Sequence, residues 1–266
     1  DDDTATIVFD GLLLNSAQLR SELDERGYRS PARGDAELVL AAWRQWGVDW
    51  LRHFNGLFAF AIHDHAKGCL FLGRDRMGGR PLHFSFLSDG SLAFASELKG
   101  LLRHPLVGRE ANVTAVEDFL ALGYVPDDNC LAAGVRKLAA GHYLLLQRGK
   151  AVEAPVCWWR PDFSRRVKAS EKQAADYLAY LLRVVVRDYA AVGPSTGLLL
   201  SGGMDSAGLA ALMAESSQRA IKSLTIGSGQ RDRDEHLAAR AISHRFAGEH
   251  HELAALSAST DILDQM

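Results

Sequence analysis

Apolar and polar residues alternate along residues 57–96 with the period of two that is typical of strands with one buried face. Turn signals at residues 64–68 and at Asp89-Gly90 divide this stretch, and we predict an antiparallel meander of four strands. Two further strands are predicted over residues 4–9, which the Asp10-Gly11 turn would end, and over residues 144–147.

Helical patterns flank the meander. Asn15 with Gln18 and Thr114 with Glu117 match capping boxes, so a helix is predicted after each pair. Residues 35–46 also carry apolar residues three and four positions apart, which predicts a third helix. Helices around a meander predict a layered α+β domain in which helices cover the sheets.

The second half of the chain alternates helical and strand patterns. Ser170 and Gln173 form a capping box for a long helix that runs to about residue 192. The apolar residues that we expect on its buried face are Leu178, Leu181, Leu182, Val185 and Tyr189. The elements predicted next are a strand at 198–200, a helix, a strand at 223–226, a helix at 234–246 and a strand at 250–253. This alternation predicts a parallel α/β sheet with right-handed crossovers, and we place the two domains at residues 1–160 and 168–266.

Composition and charge narrow the class of protein. The chain has 266 residues, of which 47% are hydrophobic and 24% charged, enough for two packed cores. The net charge of −3 argues against nucleic-acid and anionic-membrane partners. Cys69, Cys130 and Cys157 share no metal-ligand spacing, so reduced thiols and a cytoplasmic location are expected. No apolar run reaches the roughly 18 residues that span a bilayer. The chain opens without Met, so we expect a fragment that begins inside a domain.

The stretch from Gly197 to Ser206, GLLLSGGMDS, indicates an anion-binding loop. An apolar strand enters a Ser-Gly-Gly turn, and a helix can begin directly after it, capped by Asp205 or Ser206. Adjacent glycines allow close backbone approach, and the unpaired amides of the first helical turn point at a bound phosphate. Ser201 and Ser206 add hydroxyl donors, and Asp205 is a carboxylate placed to hold a magnesium ion on the phosphates.

Two other features near this loop admit more than one interpretation. Ile226 ends the strand predicted at 223–226, where it can face an adenine ring or belong to the core. Adjacent His250 and His251 suggest a metal site, but successive strand side chains point to opposite faces, so a structural role is favoured.

No Lys follows the glycines, so the loop differs from the GxxxxGK[ST] loop, and it resembles the pyrophosphate loop of the ATP pyrophosphatase superfamily. Over nearly its whole length the chain resembles the asparagine synthetase family. The segments that carry this resemblance are FDGLLLNSAQLRSEL (9–23), GDAELVL (34–40), FNGLFAFAIHD (54–64), GRDRMGGRPLHF (73–84), FASELKGLL (94–102), GYVP (123–126), VRKLAAGHYL (135–144), LLSGGMDS (199–206) and EHHEL (249–253).

The resemblance implies an αββα glutaminase-like domain of the N-terminal-nucleophile class, followed by a parallel α/β ATP pyrophosphatase domain that is truncated here. It implies ATP and Mg²⁺ as cofactors, with AMP and pyrophosphate as products. The positions that match the family's ATP contacts are Leu200, Ser201, Gly202, Gly203, Asp205, Ser206 and Ile226. The catalytic residues that promote amide formation would lie beyond Met266.

The glutaminase-like half departs from the family pattern. Where the family has Asn-Gly-Glu, this chain has Asp10-Gly11-Leu12. A carboxylate would repel the developing oxyanion, and leucine cannot hold the amino group of glutamine. Asp35 matches a second amine ligand of the family and is retained, while the nucleophilic Cys would lie upstream of Asp1.

Our leading hypothesis is a relative that adenylates a carboxylate and joins it to an amine of its own substrate, as lasso peptide cyclases do in forming a macrolactam. Its partners would be a peptide or small-molecule carboxylate substrate, with a precursor peptide and its processing protease, and a homodimer is compatible with the family. The alternatives are a glutamine-hydrolysing asparagine synthetase, a β-lactam synthetase and a non-catalytic scaffold.

Overall fold

The computed structural model describes residues 4–28, 34–126, 128–192, 196–216, 221–227, 233–246 and 248–254. The chain divides into two compact units, residues 1–164 and residues 165–266. Among the described residues, no helix is both long enough and apolar enough to cross a membrane.

The first unit contains two antiparallel sheets and several helices. Its strands are β1 (Ala5–Leu13), β2 (Gly56–Asp64), β3 (Cys69–Arg74), β4 (His83–Phe86), β5 (Leu92–Ala95), β6 (Arg136–Lys137), β7 (His142–Gln147) and β8 (Val156–Cys157). Its helices are α1 (Ser16–Glu25), α2 (Asp35–Trp46), the 3₁₀ helix Gly47–His53, α3 (Leu98–Leu101) and α4 (Val113–Leu122). The strand orders are β1-β2-β3-β7-β8 and β5-β4-β6.

The predicted single meander is therefore wrong. Strand β7 pairs with the free edge of β3, so β4 and β5 form a second sheet with β6 instead of extending the first. Leu72 and Leu144 of the first sheet pack between the sheets with Leu82 and Phe84. Burial of these side chains stabilises a two-sheet sandwich, which a local alternation pattern cannot distinguish from one sheet.

Helices cover the outer faces of the sandwich. Trp43 of α2 stacks on Phe71 of β3 with ring centroids 4.8 Å apart, in a core that also includes Leu19 of α1. On the other side, Leu101 of α3 packs with Leu87 next to the second sheet. The layers follow the order helix, sheet, sheet, helix that the resemblance implies.

Two predicted caps differ from the observed ones. Asn15 precedes α1, but its side chain bonds the backbone of His53 and Asn55 at 2.8 and 2.9 Å instead of capping the helix. Helix α4 begins one residue earlier than Thr114, and its N-cap is Asn112. In both places an Asn amide with two polar ends joins distant segments, which a capping-box pattern does not anticipate.

The second unit is a parallel α/β arrangement, as predicted. Its elements are α5 (Glu171–Ala190), β9 (Gly197–Leu199), α6 (Met204–Ser216), β10 (Lys222–Gly227), α7 (Arg233–Phe246) and β11 (Glu249–Ala254). The strands are parallel in the order β11-β10-β9, and the Ser170–Gln173 capping box at the start of α5 is present.

One face of this sheet is covered and the other is open. Leu198 and Leu200 pack with Met213 of α6 and Ala239 of α7, whereas Leu199 is 69% exposed. The expectation of a buried strand at 198–200 is therefore wrong for Leu199, because its side chain points away from both helices. The face predicted as buried on α5 is also wrong: Val186 is buried, but Leu178, Leu181, Leu182 and Val185 are each more than a third exposed.

Candidate functional site

The Ser-Gly-Gly loop lies at the carboxyl edge of the parallel sheet, between β9 and α6. Leu200 anchors it: its amide donates to the carbonyl of Leu224 at 2.9 Å, and its carbonyl accepts from the Thr225 hydroxyl at 2.6 Å. Leu200 and Thr225 are both buried. The loop therefore starts from a backbone position fixed on β10, at the edge where ligands bind in open parallel sheets.

Two serine hydroxyls organise the turn. The Ser206 hydroxyl donates to the carbonyl of Gly203 at 3.0 Å and lies 3.1 Å from the Ser201 hydroxyl. The Gly203 amide lies 3.4 Å from the Ser201 hydroxyl. Ser201 and Ser206 thus hold the loop in a closed turn, with both hydroxyls beside the start of α6.

The loop presents backbone donors. Within the described parts of the chain, the amides of Gly202, Met204 and Asp205 have no hydrogen-bond acceptor. They belong to the turn and to the first turn of α6, where the helix dipole is positive. This arrangement can bind a phosphate oxygen through several N–H groups.

The two glycines have different roles. Gly202 has φ +82°, and a Cβ there would lie 2.5 Å from the Glu235 carbonyl oxygen and 3.1 Å from Ala238 Cβ, both on α7. A Cβ on Gly203 would meet only the Ser201 hydroxyl, at 3.4 Å. Gly202 therefore allows the loop to rest on α7, and Gly203 leaves open space on the ligand side.

Asp205 and Ile226 are both accessible. Asp205 lies in the first turn of α6, is exposed, and has no ion-pair partner among the residues that the structure describes. The described residues also contain no cluster of three or more His, Cys, Asp or Glu that could hold a metal. One carboxylate with nearby hydroxyls fits Mg²⁺, which commonly takes one or two protein carboxylates together with phosphate oxygens.

Ile226 is 59% exposed near the end of β10, paired with Leu253, which is 53% exposed. Both lie on the open face of the sheet, so the core interpretation of Ile226 is not supported by its exposure. An exposed aliphatic side chain at the carboxyl edge can pack against a planar ring.

A polar network that the sequence analysis missed lies next to this edge. The Arg240 guanidinium of α7 makes two hydrogen bonds to the Glu252 carboxylate of β11. The His236 imidazole lies 4.0 Å from Glu252 and occupies the space where a side chain of Gly227 would be. The spacing of four residues between His236 and Arg240 places them on one face of α7, which is the signal that would have identified the pair.

The charge of this network shifts the ionisation of Glu252. The hydrogen bonds from Arg240 lower the pKa of Glu252 to about 2, helped by the charges of Arg240, His250 and His236, and they outweigh the desolvation that would raise it. His250 Nδ1 lies 2.9 Å from the Ser223 hydroxyl, while His251 Nε2 lies 2.7 Å from Glu249. The adjacent histidines thus have separate partners.

The second candidate site is the glutaminase-like pocket of the first unit. Asp10, Gly11 and Leu12 lie within β1, so the predicted turn at Asp10-Gly11 is wrong. Gly11 has φ +143°, and a side chain there would collide with the carbonyl oxygen of Leu57. The glycine that suggested a turn is required instead by close contact between paired strands.

Asp10 is paired. Its carboxylate accepts from the Ser96 hydroxyl at 3.0 Å and lies 3.7 Å from Arg80 Nε. The Arg80 backbone is in turn held by Asp75, a buried carboxylate that accepts from the amides of Phe58, Met77, Gly79 and Arg80. Ser96 and Arg80 were not predicted as site residues, although both lie in the segments FASELKGLL and GRDRMGGRPLHF.

Asp35 joins the first turn of α2 to the end of β1. Its carboxylate accepts from the Leu13 amide at 2.8 Å and from the Ser16 hydroxyl at 2.7 Å. Both oxygens therefore already have a donor, and the side chain is half-buried. Asp35 therefore holds α2 against the end of β1 and keeps lone pairs that can accept from an amine.

Both units of the chain are similar to known protein families. Residues 1–159 match the glutamine amidotransferase domain family, and residues 178–264 match the asparagine synthase family. The asparagine synthetase (glutamine-hydrolysing) 3 of Bacillus subtilis is 30% identical over 217 residues, which cover 80% of this chain and 34% of that protein. A putative glutamine-hydrolysing asparagine synthetase of Mycobacterium bovis is 32% identical over 225 residues, which cover 82% of this chain and 34% of that protein.

A solved structure of the Bacillus subtilis glutamine phosphoribosylpyrophosphate amidotransferase with ADP and GMP is 15% identical, with a TM-score of 0.42 over 96% of this chain and 62% of that one. This likeness is too distant to add to the assignment. The chain spans about a third of the length of these two asparagine synthetase relatives. Through its amidotransferase and synthase domains and these relatives, the chain belongs to the asparagine synthetase family.

Proposed function

We propose that this chain carries the nucleotide site of an ATP-dependent amide synthetase that forms AMP and pyrophosphate. The observation that carries the proposal is the Ser-Gly-Gly loop, whose amides at Gly202, Met204 and Asp205, in the turn and at the start of α6, lack acceptors among the described residues. The names of the relatives, which are asparagine synthetases, support the same class of reaction.

Each loop residue has a role in this proposal. Leu200 fixes the loop on β10, Gly202 seats it on α7, and Gly203 leaves room for the phosphates. The Ser201 hydroxyl can donate to a phosphate oxygen, whereas the Ser206 hydroxyl donates to the Gly203 carbonyl and supports the turn. Asp205 holds Mg²⁺, whose charge would offset that of the phosphates. Ile226 packs on the adenine.

The reaction proceeds in two steps. A substrate carboxylate oxygen attacks the α-phosphorus of ATP, the bond to the bridging oxygen breaks, and pyrophosphate leaves with the electron pair. An amine then attacks the carbonyl of the acyl adenylate, loses a proton, and expels AMP. The loop amides stabilise the negative charge that builds on the leaving pyrophosphate, where fixed donors are most effective.

We further propose that the amine belongs to the enzyme's own substrate and does not come from glutamine. The pocket that would bind glutamine carries the Asp10 carboxylate, paired with Arg80 and Ser96, where an oxyanion needs a donor. Leu12 offers no polar group to an ammonium ion. An intramolecular amine favours ring closure, so a macrolactam from a precursor peptide is the product that we propose, with β-lactam formation as the small-ring variant.

A glutamine-hydrolysing asparagine synthetase is the second candidate, and the names of the relatives favour it. In that case aspartate is the carboxylate and ammonia from glutamine is the amine. The retained Asp35, with lone pairs that can accept from an amine, is the observation in the structure that agrees with this alternative.

Two assays on the full-length enzyme distinguish the candidates. Ammonia release from glutamine should stay at the rate of a buffer control if the amine comes from the substrate, and robust release would support the asparagine synthetase instead. Exchange of radiolabelled pyrophosphate into ATP should require a peptide carboxylate if the amine comes from the substrate. It should require aspartate if the protein is an asparagine synthetase. Absence of exchange with every acceptor would contradict both and leave a non-catalytic scaffold.

A further inference from the structure

Two adjoining cavities open at the end of the sandwich in the first unit. One has a volume of about 430 Å³ and extends past His63 and His65 to Arg148. The other, of about 290 Å³, runs between the sheets to Phe86 and Lys150. Both are bounded by Leu70, Leu146 and Gln147, so the two cavities adjoin, and we call the pair the sandwich-end cleft.

The sandwich-end cleft is separate from the glutaminase-like pocket. On β2, His63 pairs with Thr6 of β1, whereas Ala59 pairs with Asp10. Four residues along a strand span about 13 Å, so the two sites lie toward opposite ends of the same strand pair. Nothing in the proposed amide synthesis uses this end of the sheet.

The floor of the cleft is apolar and incompletely covered. Leu70 of β3 and Leu146 of β7 are directly paired and only half-buried, and Leu92 of β5 packs in the same cluster. Phe86 is 45% exposed and Val152 is 58% exposed at the outer wall. Apolar surface that stays open between two sheets can gain free energy by covering a ligand.

The rim of the cleft is cationic. Neither Arg148 nor Lys150 has a carboxylate partner in the part of the chain that the structure describes, whereas the neighbouring Asp64 and Asp89 carboxylates are engaged by Trp43 and Lys67 and by Ser91. The main chain at both residues is fixed, since the Arg148 amide donates to the Gly68 carbonyl at 2.9 Å and the Lys150 amide donates to the Gln147 carbonyl at 3.1 Å.

We infer that the sandwich-end cleft binds a small amphipathic carboxylate. An aryl or short alkyl group would lie on Leu70, Leu146 and Phe86, and the carboxylate would meet Arg148 and Lys150. Pockets for small ligands usually measure about 300–1,000 Å³, so cavities of 430 and 290 Å³ suit a compact molecule with one ring or a short chain. Arg148 and Lys150, which have no carboxylate partner among the described residues, select an anion over a neutral analogue, because each can add a charge-assisted hydrogen bond.

Isothermal titration calorimetry of the full chain with 4-phenylbutyrate tests this inference. We expect saturable 1:1 binding, at least about fivefold weaker binding of the neutral 4-phenylbutanol, and at least about fivefold weaker 4-phenylbutyrate binding in the Arg148→Gln/Lys150→Gln variant. The matched variant Arg166→Gln/Lys168→Gln removes the same charge elsewhere and should bind like the parent protein. Phe86→Ala should weaken binding of both compounds, and Val152→Ser provides a second, more exposed change in the apolar wall.

Three results would overturn the inference. They are no saturation with 4-phenylbutyrate, equal affinity for the neutral alcohol, and equal weakening by the two charge-removing variants. Circular dichroism on each variant verifies the fold. Because the cleft takes no part in the adenylation reaction, a negative outcome here leaves the proposed function unaffected.

Discussion

At the scale of single residues, the Ser-Gly-Gly loop depends on contact between Gly202 and the backbone of α7. We predict that Gly202→Ala destabilises the second unit by roughly 1–3 kcal/mol, because a Cβ there meets the Glu235 carbonyl at 2.5 Å in a left-handed conformation. Urea denaturation monitored by circular dichroism measures this decrease in the free energy of unfolding.

Gly208 is the control for that experiment. It lies inside α6, and the space that an added Cβ would occupy is open, so Gly208→Ala should stabilise the same unit by about 0.5–1 kcal/mol. Equal effects of the two substitutions would show that the loop does not rest on α7 as described.

Glu252 makes the stability of the second unit depend on pH. Its pKa is about 2 in the folded chain, against 4.5 for an ordinary glutamate. The unfolded chain therefore takes up this proton near pH 4.5, while the folded chain resists it down to about pH 2. The contribution of Glu252 to stability is complete above pH 4.5 and is lost as the pH falls toward 2.

Glu252→Gln tests this dependence. The difference in the free energy of unfolding between the parent protein and the variant should be largest at about pH 6 and clearly smaller at about pH 3, measured by urea denaturation. Glu215→Gln, which removes a carboxylate paired with Arg183 on the surface, is the control. A difference that stays constant between the two pH values would contradict the assigned pKa.

Some of these residue roles follow from the sequence and others do not. The loop residues Ser201 to Ser206 are contiguous, so an anion-binding loop can be predicted from the sequence alone. Gly11 illustrates the opposite case: Asp-Gly is a turn signal locally, but the collision that requires the glycine comes from Leu57, 46 positions away by their residue numbers. The pairing of Asp10 with Arg80 is equally non-local.

At the scale of elements, α4 gives a direct test of its cap. Asn112 precedes the helix, accepts from the Ala115 amide at 3.5 Å, and donates to Asn129 at 2.8 Å. We predict that Asn112→Ala lowers the free energy of unfolding of the first unit by about 1 kcal/mol. Thr114→Ala, at the position that the sequence pattern selected, should change it by less than about 0.5 kcal/mol. Thermal or urea unfolding that ranks the two variants in the reverse order would refute the observed cap.

The elements of the second unit could be predicted because their signals are local. The capping box at Ser170, the apolar run before Ser201 and the alternation of strand and helix each involve neighbouring residues. The sheets of the first unit could not be predicted, because β3 pairs with β7 across about 70 positions. Burial was also overestimated for α5 and for Leu199, since periodicity marks an apolar face without showing what covers it.

At the scale of the whole molecule, two units with separate cores carry two chemically different sites. The loop of the second unit presents backbone donors and the exposed Asp205 carboxylate, which are the groups that our proposal uses for adenylation. The first unit carries Asp10, paired with Arg80 and Ser96, and the apolar Leu12 at the positions that we propose correspond to a glutamine site. In the function that we propose, this combination is expected because the amine comes with the substrate and not from glutamine.

The most direct test of this account is pyrophosphate exchange into ATP by the full-length enzyme carrying Asp205→Ala. We predict that exchange falls at least about 100-fold while circular dichroism and urea denaturation remain like those of the parent protein, because the carboxylate that holds Mg²⁺ is lost. Asp176→Ala, which removes an exposed carboxylate on α5, should leave exchange unchanged. Exchange at the parental rate in Asp205→Ala would contradict the assignment of this loop as the nucleotide site.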